Sequence, residues 1–386
     1  MRSVNKRVLS GVLIITIILS FFAFLPTGVK AKEICINIET AKKIAIFKIQ
    51  YYIANNERDE LSKWRWGEYI EEPIPMYSLD GNVEAYYVSV INEKKESAGY
   101  VIVGANKSHA PVIEFGVFNE FYPAVAMKKI EGDRLYYLGS VCYMVGKDDY
   151  IVDATSFGEL KKVDIDSVKK NSVIREDYSN AWDYWEKQLE TKHISIKDNR
   201  IEEPSYKAEL VKRGNSRDVT GYNLAYKVMD SFPGETNHCL PLAGINLFIY
   251  WTNRSSSYAS LRQYNDQFWK KTFRMLKTDM QTDPIDGTNP DKGEEGFKTY
   301  FRRCYIRNYV EYNENADYLF CKYEINANRP IIIDYLYDPF YRHAVLGLGY
   351  SYDDVFNVRV ADGYSGYAGR YYAISSFLGV FKIEFY

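Results

Sequence analysis

Two hydrophobic rhythms alternate along the chain. In "IETAKKIAIFKIQYYIANN" (38–56) apolar residues return at helical spacing, which predicts an early helix. "EAYYVSVINEKKESAGYVIVGANKSHAPVIEFG" (84–116) alternates with period two, turns at the charged "NEKKES" and alternates again, which predicts a hairpin and a further strand. "DRLYYLGSVCYMVGKDDYIVDAT" (133–155) repeats that style. Residues 32–195 therefore read as a small α+β unit with an antiparallel sheet. "QLETKHISIKDNRIEEPSYKAELVKRGNSRDVTG" (188–221) is polar and poor in large apolar side chains. It predicts an exposed linker over 196–220, open to processing at Lys212 and Arg213 or serving as a plain solvated connector.

From Tyr222 the pattern changes. The apolar run after Cys239 predicts a buried helix, with Pro241 just inside its first turn. "LRQYNDQFWKKTFRMLKTDM" (261–280) sets Leu261, Tyr264, Phe268, Leu276 and Met280 on one helical face, which predicts an amphipathic helix. "QTDPIDGTNPDKG" is a loop and "EEGFKTYFRRCYI" a short helix. "RPIIIDYL" reads as a buried strand, and "HAVLGLGY" and "VFNVRVAD" as two more joined by "SYDD". Residues 221–386 are thus expected to hold helices first and strands afterwards.

The N-terminus follows neither rhythm. Arg2, Lys6 and Arg7 precede "VLSGVLIITIILSFFAFL", and "VKA" ends at Ala31. Basic start, apolar middle and small residues at the cut predict a secretory signal peptide over 1–31, and so a secreted or cell-surface protein. An uncleaved membrane anchor is the alternative, because the apolar stretch is longer than the usual ~7–15 residues. Cys35 follows "KEI" and is not placed as a lipoprotein cysteine. The net charge of −2 comes without a basic block, which removes the electrostatic case for nucleic acid. Five cysteines (Cys35, Cys142, Cys239, Cys304, Cys321) are too few for a disulfide scaffold and match no zinc spacing. Their odd number leaves at least one thiol over if pairing is intramolecular.

Cys239 is the candidate nucleophile. At a helix start, unpaired N–H groups favour an anion such as a thiolate. The bland alternative is a buried structural cysteine. Of the four histidines, His238 is adjacent, but consecutive residues at a helix start point in different directions; His193 falls in the linker and His109 in the first region. His343 opens an otherwise apolar strand and needs a partner there. If "SYDD" closes a hairpin with Ser351 opposite Asp354, His343 faces Asp362 directly, about 4.5–5.5 Å away between Cβ atoms. That carboxylate would then fix the imidazole tautomer, unless a bulge shifts the register or the two form a surface charge pair.

"NHCLPLAG" before an apolar helix, then "HAVLGLGY" and "VRVADGY", resembles the papain-like bacterial cysteine peptidases, in particular streptopain-type enzymes and double-glycine leader peptidases. The resemblance covers roughly 220–386. It implies an α+β, papain-like peptidase domain with a helical lobe and an antiparallel sheet lobe, acting as a cysteine-type endopeptidase on peptide or protein substrates. It also implies Cys239 as nucleophile, His343 as general acid/base and Asp362 as orienting residue, with no metal or organic cofactor. "GYVIVGANKSHAPVIEFG" (99–116) resembles the propeptide segment of streptopain-type zymogens, which implies that the first region is an intramolecular inhibitor. The sequence departs from the family pattern where Leu240 replaces a glycine and no glutamine lies between Tyr222 and Cys239. Asn237 and Glu235 are the remaining oxyanion candidates. That departure sustains two rivals: a catalytically silent secreted or surface binding protein, and an inhibitor of another peptidase acting through the first region.

Overall fold

A computed structural model describes residues 36–386 apart from 119, 140–141, 148–149, 155–161, 164–176, 193, 195, 214, 236, 339–340, 354 and 374–376. The expected signal segment, Cys35 and His193 lie outside the described residues. Helix α1 (Ile38–Asn55) starts where the Asn37 side chain accepts the Thr40 N–H at 2.8 Å. The first region continues with β1 (Tyr69–Ile70), β2 (Ile74–Tyr77), β3 (Val83–Ile91), β4 (Ser97–Gly104) and β5 (Val112–Gly116). Helix α2 (Tyr122–Ile130), β6 (Arg134–Tyr137), β7 (Tyr143–Lys147), β8 (Tyr150–Asp153), β9 (Lys162–Val163) and α3 (Ser179–Lys192) complete it. The hairpin expected around "NEKKES" is β3–β4, and β5 follows as the next strand.

The connector is folded onto both neighbours. Within it, α4 (Lys207–Arg213) packs on α1, where Asn55 Nδ2 donates to the Leu210 carbonyl. Its last piece, β10 (Asn215–Asp218), pairs with the later strand β13 (Tyr341–Tyr352). Ile201 and Leu210 are buried anchors in an otherwise polar stretch, which is why it is held down and is not a bare exposed linker.

The second region holds α5 (Cys239–Arg254), α6 (Lys270–Asp279), α7 (Pro290–Arg303), β11 (Asn308–Asn313), α8 (Tyr318–Asn326) and β12 (Ile331–Asp338). After β13 come β14 (Phe356–Ala361), β15 (Arg370–Ala373) and β16 (Phe377–Phe385). The amphipathic helix expected over 261–280 exists only as α6. Asn265 and Trp269 take left-handed backbone, and Asp266 accepts the Thr272 N–H at 2.6 Å, which starts the helix late. Tyr264 and Phe268, expected on the buried face, are therefore 86% and 61% exposed.

One sheet runs through both regions, in the order β11-β16-β12-β13-β14-β15-β5-β4-β3-β2-β6-β7-β8-β9. The regions meet at β15–β5, antiparallel, with Tyr371 opposite Phe115 and Arg370 opposite Gly116. Charges are buried at this seam. Lys48 of α1 reaches Asp353 in the β13–β14 turn at 2.7 Å, both side chains fully buried. Arg359 of β14 lies 2.7 Å from Asp59 of the first region and 2.9 Å from Asp218 of β10. Its guanidinium sits between the rings of Tyr222 and Tyr371, 4.3 and 4.8 Å from their centroids. Breaking such a pair strands a charge, so these contacts tie the two regions in a single register.

Candidate active site

Cys239 is the first residue of α5, with His238 at the cap position. The helix forms because Leu240 to Tyr250 is an unbroken buried stretch and Pro241 sits where no N–H is needed. A Cβ on Gly244 would come within 2.7 Å of Leu276 and 2.9 Å of Phe297, so glycine lets α5 approach α6 and α7 closely. This packing fixes where the sulfur lies. Sγ is 3.9 Å from the carbonyl of Arg342 in β13. The strand therefore presents to the thiol the backbone that immediately flanks His343. Burial pushes the Cys239 thiol up to about 11, with the charge of Asp334 adding to it; backbone hydrogen bonding at Ala344, at Leu240 and at its own amide pulls the other way without winning. The helix-start amides do act on the sulfur as the sequence suggests, but desolvation outweighs them.

His343 is buried in β13, and burial holds its ring below the usual histidine range. Its Nε2 lies 2.9 Å from the main-chain carbonyl of Asp362. A carbonyl only accepts, so in the neutral ring Nε2 carries the hydrogen and Nδ1 the lone pair. Tyr364 stacks on the imidazole, centroids 4.9 Å apart and planes 11° from parallel. The arrangement is a neutral thiol beside a strand that carries a neutral imidazole of defined tautomer.

The expected carboxylate–imidazole bond is not made; the acceptor is the backbone of the same residue. The hairpin closes with Tyr352 opposite Phe356, and a bulge lies between Gly347 and Gly349. The ladder ends at Leu346 opposite Ala361, so Asp362 is the first residue past β14 rather than a cross-strand partner. Asp353 of the "SYDD" turn is buried with Lys48, and the turn folds around that pair. The Asp362 carboxylate faces its own loop: Oδ1 accepts the Tyr364 N–H at 2.9 Å, the Ser365 N–H at 2.8 Å and the Ser365 hydroxyl at 3.1 Å. Oδ2 lies 3.0 Å from Arg370 Nη1.

The oxyanion candidates are committed elsewhere. Asn237 donates its amide to the carbonyls of Pro284 (2.9 Å) and Ile285 (2.6 Å). Glu235 is paired with Lys277, a contact that holds its carboxyl below the usual range, so it carries no proton to donate. His238 packs edge-on against Phe273 with centroids 5.2 Å apart. His109 lies in the first region, 2.9 Å from Glu84.

Pattern reading missed three residues. Asn246, fully buried in α5, exchanges hydrogen bonds with the backbone of Lys227. That segment holds the loop after β14, through Tyr226 N–H to Gly366 O (2.8 Å) and Met229 N–H to Gly363 O (2.7 Å). Asp334 in β12 is pushed up to about 6 by burial, against the pull of Arg342 at 3.1 Å. Tyr364 is the third. A polar residue inside an apolar run was the available signal for Asn246 and Asp334; Tyr364 carried none.

No family model and no curated protein matches the chain. Among solved structures it is similar to a double-glycine motif protease from an AMS/PCAT transporter, solved with the leader peptide: 14% identity, TM-score 0.26, 44% of this chain and 96% of that one. It is also similar to prointerpain A of Prevotella intermedia: 11% identity, TM-score 0.38, 80% of this chain and 97% of that one.

Proposed function

We propose that the chain is an exported cysteine-type endopeptidase made as a zymogen. Cys239 attacks a peptide carbonyl, His343 takes the thiol proton through Nδ1 and returns it to the leaving amine, and water clears the thioester. Asp362 orients the imidazole, and the Cys239 N–H holds the oxyanion. Residues 1–31 are the export signal, 32–195 the inhibitory region, 196–220 the segment cut on activation and 221–386 the peptidase. The substrate is peptide or protein. The observation that carries this reading is the sulfur 3.9 Å from the Arg342 carbonyl, next to a histidine whose other nitrogen is tied down.

The inhibitory role of the first region has support at Tyr364. This ring stacks on His343, and its hydroxyl is within electrostatic reach of Cys239 and Asp362 from the site and of Asp153 and Cys142 from the first region. The second reading, a silent binding protein, has its own support in a thiol raised to about 11 and in the engagement of both oxyanion candidates, Asn237 and Glu235, with other partners. An epoxide or iodoacetamide probe separates the two. The peptidase predicts labelling at Cys239 after cleavage of the connector, lost in Cys239→Ala and strongly slowed in His343→Ala. Labelling no faster than that of Cys304 or Cys321, with or without cleavage, would leave the silent reading standing.

A further inference from the structure

Both oxygens of the Asp362 carboxylate are engaged away from the imidazole, by the 364–365 backbone, Ser365 and Arg370. We propose that Arg370 is a positioning residue: it confines the Asp362 carboxylate to the loop, so that His343 is oriented by the Asp362 carbonyl and works as a neutral base. The inference rests on the peptidase reading for its catalytic meaning, but the geometry it describes can be measured without turnover.

Arg370 is 3% exposed and Asp362 fully buried, so neither charge is screened by water. Asp362 forms a turn in which its side chain accepts two successive N–H groups. Gly363 follows at φ +78, where other residues are strained. With the side chain spent on the turn, the main-chain carbonyl is the group left to face Nε2. If Arg370 were absent, an uncompensated carboxylate would remain on the same residue as the imidazole's acceptor. An anion that close favours imidazolium, which cannot take a proton from the thiol. The groups that face the ring are Asp362 and Tyr364 of the loop and, opposite on β12, Tyr335; the sulfur of Cys239 lies beside the adjoining backbone at Arg342. Those that face Arg370 are Asp362, Tyr372 and, across the seam, Glu114 and Tyr100.

The test is nitrogen NMR of the full chain labelled with 15N-histidine, with His343→Gln assigning the signal. At pH 8, wild type and Asp362→Asn are expected to show the same Nε2–H tautomer, because the carbonyl survives the substitution. Arg370→Met is expected to raise the His343 pKa by about one to three pH units, as an opposite charge freed nearby does. The double variant Asp362→Asn/Arg370→Met removes both charges and should titrate at His343 like wild type; it serves where a single variant fails to fold by circular dichroism. An Nδ1–H tautomer in Asp362→Asn overturns the carbonyl assignment. An unmoved His343 titration in folded Arg370→Met, or a raised one in the double variant, overturns the role of Arg370. Absence of probe labelling in wild type would instead remove the peptidase reading and leave the tautomer result intact.

Discussion

The seam and the cleft both bury ionisable groups, and they meet the cost of desolvation in opposite ways. At the seam, Lys48 faces Asp353 at 2.7 Å, and Arg359 is bracketed by Asp59 and Asp218 at 2.7 and 2.9 Å. In the cleft, Cys239 and His343 have no ion-pair partner among the described residues, and burial moves the thiol up and the imidazole down. A buried charge persists only where an opposite charge is supplied; otherwise the group sheds it. The seam therefore specifies how two chain regions register, while at the start of α5 burial favours the protonated thiol.

The largest effect should come from breaking the seam. Arg359→Met leaves Asp59 and Asp218 buried without their cation, and removal of one partner of a buried pair costs about 3–5 kcal/mol. Urea unfolding followed by tryptophan fluorescence should show that loss. Asp59→Asn/Arg359→Met should recover part of it, and a double variant as unstable as Arg359→Met would show that packing, not charge, carries the seam.

The cleft gives a pH signature. If Cys239 titrates near 11, iodoacetamide labelling at this residue should follow two steps. The first lies below the ordinary histidine value of about 6.5, where the His343 base becomes neutral. The second lies near 11, where the thiolate forms without help. A pre-formed thiolate–imidazolium pair would instead label at full rate from an acidic step, as thiols in the ~3.5–7.5 range do, and the contrast between seam and cleft would fail.

A smaller effect separates the two carboxylates on Arg359. Arg359 holds Asp59 below the carboxylate range, whereas burial raises Asp218 to about 6. A raised folded-state pKa means the folded chain binds the extra proton. The Asp218 contribution is therefore fully present below its unfolded value of about 3.9 and is lost as pH rises through about 6. The Asp59 contribution has the opposite sign and is lost only as pH falls below its unfolded value. Subtracting the pH profile of Asp218→Asn urea midpoints from that of wild type should leave a fall between about 4 and 6. A flat difference would mean that Asp218 is not strained by burial.

What the sequence made legible follows from the range of the forces involved. Local rhythm gave α1, α5, the β3–β4 hairpin and the strands β12, β13 and β14 at their observed places. It placed Cys239 at a helix start because Pro241 and the apolar run mark that start locally. Register was beyond it, because the β13–β14 turn folds around a lysine 305 positions earlier. The late start of α6 was also hidden, since left-handed backbone at Asn265 and Trp269 has no signature in an apolar periodicity. Pattern could bring Asp362 near His343, but it could not distinguish a carboxylate from a carbonyl of the same residue.

The smallest predicted effect concerns Asn237, and it tests how far the cleft does without polar help. Its amide already donates to the Pro284 and Ile285 carbonyls, holding the 283–287 loop against the start of α5. Loss of a true oxyanion donor costs about 10²–10³ in kcat. Asn237→Ala should therefore lower the acylation rate by less than about threefold, far short of that range, and should instead expose the loop to limited proteolysis near Ile285, which is 77% exposed. A hundredfold loss with an intact loop would mean that the amide turns toward the substrate during reaction. The oxyanion side would then be preorganised by a side chain after all, and the cleft would resemble the seam in supplying a polar partner where charge develops.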